Sequence, residues 1–305
     1  MIIYSKLGVK GNLGNQLFQI ASTIGIAERN KQTYCFPKWN YADYFQSNFE
    51  IVNEDENWIK IDEETYSFYE WNIIKENSNL NGWLQTEKYF LNSNIKEVFK
   101  FKKEFEENLL QKFNYLFNQE TILITVRRGD FVNNPIFFQL SYKYYLTALL
   151  THFENLDKYN IIFASDNIKY CKNHFSFLPN VFFLENLNPI EQMCLGSKFD
   201  NYIISNSTFS WWMAWLAEKR ETKIIRPIHV FGNDYLKIYN EIDFYPNRWT
   251  PHDERDFKLS NEYIKLKLYG SYNIVCTKIS CFFKSNKRRI TKSIKNRIKK
   301  IINYK

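Results

Sequence analysis

Thr121-Ile122-Leu123-Ile124-Thr125-Val126-Arg127-Arg128-Gly129-Asp130 is the stretch from which the fold can be read. A run of strand-forming residues ends abruptly in two arginines, a glycine and an aspartate. Such a run reads as a buried parallel strand, and the residues just beyond its C-terminal end stand where open α/β sheets bind ligands. Arg127 and Arg128 are too costly to bury in a sheet without partners. They must emerge at the edge, face a carboxylate, or face an anionic ligand. Guanidinium forks match phosphate, so a bound diphosphate is one reading. A brace between arginine and Asp130 is the other, and the stretch alone leaves both open.

Downstream, strands and helices alternate regularly. Strand 121–127 precedes helix 141–153, strand 161–164 a short helix after Asp166, and strand 181–184 helix 189–198. The last helix opens with Asn188, Pro189 and Glu191, a cap, a first-turn proline and a capping-box acid. Strand 202–205 then leads into helix 209–218 and strand 223–225. This alternation predicts a doubly wound parallel sheet. Within it, residues 203–212 carry Asn206, Ser207, Thr208 and Ser210 onto a helix N-terminus. Free N–H groups with small hydroxyls make a phosphate site, or an elaborate helix cap. Trp211 and Trp212 point about 100° apart around that helix, and at least one is expected at a domain boundary.

Upstream, residues 2–4 read as a first strand and 8–16 as a glycine-punctuated loop. Leu17, Phe18, Ile20, Ala21, Ile24 and Ala27 recur at helical spacing. Strand, glycine loop and helix together let a backbone cradle an anion, or supply tight turns alone. The loop is not G-x-G-x-x-G and no acid follows about 20 residues on, so a nicotinamide dinucleotide site has little support. Asn15 and Gln16, at the helix start, are candidates to cap it and offer an amide outward. Residues 33–36 read as a second strand. Residues 39–75 are aromatic and acidic without clean periodicity, either surface decoration or a place for a polar ligand with apolar faces. Residues 95–118 are predicted as one helix with Val98, Phe101, Phe105, Leu109, Phe113 and Leu116 as its stripe.

Composition narrows the classes. The five Cys form no close pair and their odd number argues against a disulfide framework, which points to a reducing compartment. The four His lack metal-ligand spacing, so no built-in metal is expected, and His152 is read as structural. No G-x-S-x-G elbow is present. The N-terminus lacks the pattern of a signal peptide, and no segment reaches the roughly 18 apolar residues of a membrane span. Of 41 Lys and Arg, ten lie in residues 284–305, leaving 31 against 33 acids. The basicity therefore belongs to a tail, and nucleic acid is not an expected partner. Ile290, Ile294, Ile298 and Ile301 or Ile302 recur among its basic residues, a pattern suited to an amphipathic helix on an anionic membrane surface, or to docking on the protein itself.

Three blocks carry a family resemblance. Gly11-Asn12-Leu13-Gly14-Asn15-Gln16-Leu17-Phe18-Gln19, Val126 to Asp130, and Ile203 to Trp212 resemble, in order and spacing, motifs of the inverting α-1,2-fucosyltransferases that use GDP-fucose. Phe163 to Asp166 and Tyr144-Tyr145 are weaker echoes. The blocks run through residues 1 to about 225. The resemblance implies an α/β fold of GT-B type, with two facing Rossmann-like domains and a basic C-terminal amphipathic tail. The expected limits are an acceptor-side domain at 1–118, a GDP-sugar-binding domain at 119–260 and an extension at 261–305.

By the same resemblance, Arg127 would grip the donor pyrophosphate, Arg128 would support it or hold the domain's geometry, and Asn15 would reach the donor or acceptor across the cleft. Gly14, Gln16, Asn206, Ser207, Thr208 and Ser210 would line the donor, with Asp166 at guanosine or ribose. The base is left between Asp130 and an acid of the first domain. Two departures stand out: Thr125 occupies the place of the family's motif histidine, and Lys10-Gly11-Asn12 replaces a Gly-Gly pair. The implied reaction moves L-fucose from GDP-β-L-fucose, with inversion and no metal or cofactor, to the 2-hydroxyl of a terminal galactose. The implied acceptor is an oligosaccharide or lipid-linked glycan of the O-antigen type, modified at the inner face of the cell membrane by a cytoplasmic, peripherally bound enzyme. Transfer of another GDP-linked deoxyhexose such as colitose, and an inactive glycan- or lipid-binding homologue, are the alternatives.

Overall fold

Strands β1 (Ile2–Ile3), β2 (Tyr34–Cys35), β3 (Ile59–Asp62) and β4 (Ser78–Asn81) form a first sheet in the order β2-β1-β4-β3, all parallel. Short as they are, β1 and most of β4 are buried. Polar side chains do part of the joining: Asn79 accepts the Ser5 N–H at 3.1 Å, and the Tyr4 hydroxyl donates to the Gly82 carbonyl at 2.6 Å. Helix α1 (Leu13–Arg29) follows β1 and is buried almost all round from Leu13 to Ala27, as a helix covered on several faces must be.

The computed structural model describes residues 1–49, 51–52, 58–73, 77–257 and Leu268. The predicted amphipathic tail, 284–305, lies outside the described residues. The described residues of 1–168 and 179–257 make one compact unit holding both sheets, and residues 169–178 fall outside it.

The single helix expected at 95–118 is broken. It resolves into α2 (Ile95–Val98), α3 (Lys103–Lys112) and a 3-10 turn at Asn114–Phe117. The break arises where Phe101 bridges Phe45, Gln46 donates to the Lys100 carbonyl at 2.8 Å and Lys102 donates to that of Tyr44 at 2.9 Å. Backbone pairing with residues 44–46 outweighs local helical preference there. Residues 39–75 are also more than decoration, since they supply β3 and bury Trp39, Phe45, Tyr66 and Trp71.

The second sheet carries the predicted alternation. In chain order come β5 (Glu120–Val126), α4 (Tyr142–His152), β6 (Tyr159–Ser165), α5 (Ile168–Phe175), β7 (Val181–Phe183), α6 (Pro189–Gly196), β8 (Asn201–Ile203), α7 (Thr208–Ala217), β9 (Ile224–Pro227) and β10 (Thr250–His252). The order β10-β9-β8-β5-β6-β7 is wholly parallel. It is the doubly wound order whose direction reverses between the first and fourth strands, here β5 and β8. The Asn188–Glu191 capping box forms as its sequence implies. Strand β10 had no sequence signal, and its Pro251 fits the edge position it occupies. Two parallel Rossmann-like α/β sheets thus meet the GT-B expectation.

Helices α1 and α7 join the halves. Trp211 and Trp212 are both fully buried, with Phe18 of α1 lying 4.5 and 5.0 Å from their ring centroids. Phe90 stacks on Trp212 at 5.6 Å. Both tryptophans therefore sit where the halves meet. At its start α1 comes closer still: a Cβ on Gly14 would lie 2.4 Å from the backbone nitrogen of Phe209. Glycine is needed there for backbone approach.

Candidate functional site

A cavity of about 770 Å³ opens where the C-terminal ends of β5 and β8 face the start of α1. This is the switch point of the second sheet, the place where open α/β sheets hold ligands. The first half contributes residues 11–16, Tyr41, Tyr66, Trp83 and Gln85; the second contributes Thr125 to Arg127, Asp130, Phe131, Ser165, Asp166 and residues 206–210, with apolar walls from Ile136, Phe137, Met213 and Phe231.

Arg127 leaves the end of β5 and is held from two sides. Its Nη1 pairs with Asp166 at 2.9 Å, and its Nη2 pairs with Asp130. The guanidinium carbon also lies 5.4 Å from the Phe131 ring. Its Nε is buried without a hydrogen-bond partner among the described residues. The brace foreseen through Asp130 is therefore present, and Asp166 doubles it. Two carboxylates fix the plane of a group that is always charged, and a planar fork of known orientation suits a diphosphate.

Asp166 also accepts the Arg128 N–H at 2.8 Å, so it orders the turn after β5 as well as the arginine. These groups crowd one another, since a Cβ on Gly129 would meet the Asp166 carboxylate at 2.6 Å. Arg128 is the one predicted site residue absent from the cavity wall.

Thr125, buried at the switch point, accepts the Ser205 N–H at 3.3 Å and so ties β5 to the end of β8. Thr125, which stands in place of the motif histidine, thus spends its hydroxyl on the backbone that follows the neighbouring strand. The residues after β8 divide the work among themselves. Ser207 is the α7 cap, accepting the Phe209 N–H at 3.2 Å. Ser210 pairs with Ser205 at 2.8 Å, and the Asn206 amide donates to the carbonyls of Phe138 and Val230, each at 2.9 Å. Thr208 turns to the other half, donating to Asn15 Oδ1 at 2.9 Å.

Asn15 accepts a second hydrogen bond from Gln85 Nε2 at 2.8 Å, and Gln85 Oε1 accepts the Tyr66 hydroxyl at 2.5 Å. Burial pushes the Tyr66 hydroxyl well above the ordinary tyrosine range, which keeps it a donor. The chain Tyr66–Gln85–Asn15–Thr208 thus crosses the cavity from one half to the other. The α1 cap is Asn12, not Asn15, and Asn15 lies inside the first turn. Gln16 is turned inward, donating to the Gly11 carbonyl at 2.9 Å and accepting from the Trp39 indole at 2.8 Å. Tyr66, Trp83 and Gln85 are cavity residues that sequence reasoning missed, because they stand in segments without periodicity or motif.

Electrostatically, the cavity receives the N-termini of both α1 and α7, and neither helix has an acid in its first turn. Each end presents unsatisfied N–H groups and a partial positive charge of about half an elementary unit. With Arg127 they make an anion-binding wall on both sides of one cleft. Among the described residues no three His, Cys, Asp or Glu side chains converge as metal ligands, and no helix is long and apolar enough to cross a membrane.

Comparison with known proteins agrees with this architecture. The model of the family described as Glycosyl transferase family 11 matches residues 6–251. The Escherichia coli O-antigen biosynthesis glycosyltransferase WbnK is 33% identical over 129 residues, 40% of this chain and 43% of that protein. An alpha-1,2-colitosyltransferase of Escherichia coli is 29% identical over 181 residues, 55% of this chain and 60% of that protein. The match thus spans less than two-thirds of the length of either relative. Among solved structures, POFUT1 in complex with GDP-fucose superposes with a TM-score of 0.51 at 11% identity, covering 72% of this chain and 96% of that one. Fucosyltransferase NodZ from Bradyrhizobium gives 0.50 at 12% identity, covering 70% and 91%. At such identities the likeness is one of fold.

Proposed function

Because the chain belongs to glycosyl transferase family 11, we propose that it transfers L-fucose from GDP-β-L-fucose to the 2-hydroxyl of a terminal galactose, with inversion. The observation that carries this reading is Arg127, fixed by Asp130 and Asp166 at the switch point and opposed by two helix N-termini that carry no acid in their first turn.

In this reading the diphosphate lies between Arg127 and the start of α7, with the fucose toward Asn15. The acceptor hydroxyl attacks C1 from the face opposite the diphosphate and gives up its proton to a carboxylate, Asp130 or an acid of the first half. The bond from C1 to the diphosphate oxygen breaks as charge grows on GDP, and fixed donors act where that charge develops. Asn15, whose Oδ1 is held by Gln85 and Thr208, links donor and acceptor sides. Asp130 and Asp166 act through Arg127 as positioning residues. Arg128 supports the turn, and Gly14 permits the close approach of α1 and α7. The chain is read as an acceptor-side part over 1–118 and a donor-side part over 119–260. A galactose-ended oligosaccharide or lipid-linked glycan is the acceptor class, met at the cytoplasmic membrane face.

A second donor is favoured by one finding, the likeness to an alpha-1,2-colitosyltransferase. GDP-colitose differs from GDP-fucose in the deoxyhexose and leaves the diphosphate site unchanged. The test is GDP release from each nucleotide sugar by purified protein, with and without a β-galactoside and with EDTA. Arg127→Ala is run alongside. Acceptor-dependent release from GDP-fucose that persists in EDTA and disappears in the variant supports the first reading. Release from GDP-colitose alone supports the second, and failure to bind GDP sinks both.

A further inference from the structure

A second cavity, of about 310 Å³, adjoins the cleft on the side of the first sheet and shares Tyr66, Trp83 and Tyr239 with it. The transfer reaction so far places nothing there. From its walls we infer that it is the acceptor subsite and that it selects an uncharged hexopyranose ring over one bearing a carboxylate. The inference rests on the transferase reading for its place in the reaction.

Its volume lies at the lower end of the roughly 300–1,000 Å³ of small-molecule pockets, a size for one ring rather than for a nucleotide. Its chemistry is the opposite of the donor cleft's. Glu63 follows β3 directly, and its carboxylate accepts the N–H groups of Trp83 at 2.6 Å and Leu84 at 3.0 Å. A carboxylate has about four acceptor sites, so it retains capacity for hydroxyl donors. Burial raises the Glu63 carboxyl above its ordinary range, opposed by those two amides and by Lys10.

Lys10 is the cation of this wall and is already engaged. It donates to the Gly82 carbonyl at 2.9 Å and lies 4.7 Å from the Trp83 ring centroid. Asp62 is paired with Lys60 at 2.8 Å, and beyond that pair Glu63 and Glu64 still outnumber Lys10 on the wall. A ligand carboxylate would meet like charges there, whereas sugar hydroxyls would meet acceptors. Trp83, Tyr66 and Tyr239 add apolar ring faces for the C–H side of a pyranose. This also gives a use to the aromatic, acidic stretch 39–75, which supplies residues 62–66 of the wall.

The test uses saturation-transfer NMR on the full chain with GDP present. The probes are methyl β-galactoside, methyl β-glucoside and methyl β-galacturonide. At least one neutral glycoside is expected to receive saturation, and the uronate none. Thr65→Trp should abolish the signal by filling the cavity, because Thr65 is an exposed wall residue hydrogen-bonded only to Ser67 at 3.2 Å among the bonds described. Glu63→Gln should weaken the neutral glycoside about tenfold, the size of a lost charge-assisted hydrogen bond, and admit the uronate. Silence from every neutral glycoside, equal signals from uronate and galactoside, or signals unchanged in both variants would overturn the assignment. GDP titration and thermal melting of all three proteins report fold and donor binding separately. A wild type that binds glycoside in a manner sensitive to Thr65→Trp, but does not bind GDP, would refute the donor reading and leave the sugar site standing.

Discussion

The sheet of β5–β10 and the sheet of β1–β4 are held together by different forces. In the former, β5 and β6 pair over seven residues, with Ile122 to Ile124 and Ile161 to Phe163 fully buried. Backbone ladder and apolar burial suffice, and the polar groups collect at the strand ends. In the latter, the strands are two or four residues long, and side chains do much of the joining. Asn79 reaches Ser5, Tyr4 reaches Gly82, and Glu63 ties β3 to the Trp83 and Leu84 amides. The difference sorts the chemistry as well. The self-sufficient sheet can carry an arginine braced by two carboxylates at its edge, while the stitched sheet offers amides, hydroxyls and a carboxylate that serve structure and ligand alike.

If the two halves meet chiefly through an aromatic joint, the largest effect should come from removing its centre. Trp212→Ala deletes a fully buried indole packed on Phe18, Phe90 and Phe99. Large-to-small changes of this kind cost about 3–5 kcal/mol, and urea denaturation would measure it. A loss below about 1 kcal/mol would mean that the joint contributes little.

Next is the charge on the self-sufficient side. Arg127→Ala should lower transfer by about 10²–10³-fold, the cost of one donor to developing charge. It also leaves Asp130 and Asp166 without their partner, so GDP affinity and turnover should fall together. Steady-state kinetics with unchanged turnover would show that the arginine is a brace alone.

Gly14→Ala tests whether the halves need backbone contact. The added methyl would sit 2.4 Å from Phe209 N and must push α1 away from α7. Overpacking of this sort costs about 1–3 kcal/mol. Activity should fall further than stability, because Asn15 and Thr208 would be drawn apart. Equal activity at reduced melting temperature would show that the Asn15–Thr208 bridge is dispensable.

How much of this was legible in the sequence follows the same division. The second sheet could be read because apolar strands, capped helices and turn signals agree with one another. The motif residues Gly14, Asn15, Arg127, Asp166, Ser207 and Thr208 do converge on one cleft. Strand β4, Ser78-Asn79-Leu80-Asn81, could not be read, because nothing local favours a strand there and its place depends on side chains 74 residues away in sequence. The broken helix at 95–118 fails for a related reason, since residues 44–46 compete for its backbone. Which hydroxyl caps, which braces and which faces the ligand was also beyond the motif. Ser207, Ser210 and Thr208 have one chemistry and three partners.

The smallest expected effect lies at the far edge of the self-sufficient sheet, where two histidines replace a purely apolar seam. His252, on β10, meets Thr147 Oγ1 at 2.8 Å through Nε2 and His152 Nε2 at 3.3 Å through Nδ1. Burial, followed by the neighbouring His152, lowers the His252 imidazole to about 4, with Asp253 and Asp256 pulling the other way. His152 is lowered too, by burial and by Lys223. The folded state therefore favours neutral rings. Between about pH 6.5 and 4 the unfolded chain binds a proton that the folded chain refuses, so stability should fall with pH across that window. Above about 6.5 the two states are alike and the contribution is level; below about 4 both are protonated and the loss is complete. Carboxylates titrate in the lower part of the same window, so the comparison must be made against His252→Gln, which can still bond Thr147 but cannot take up the charge. Urea midpoints of the two proteins should converge as pH falls from 7 to 4.5. Parallel lines would mean that the pair is solvated in solution and that this edge, like the core of its sheet, is held by backbone and apolar contact alone.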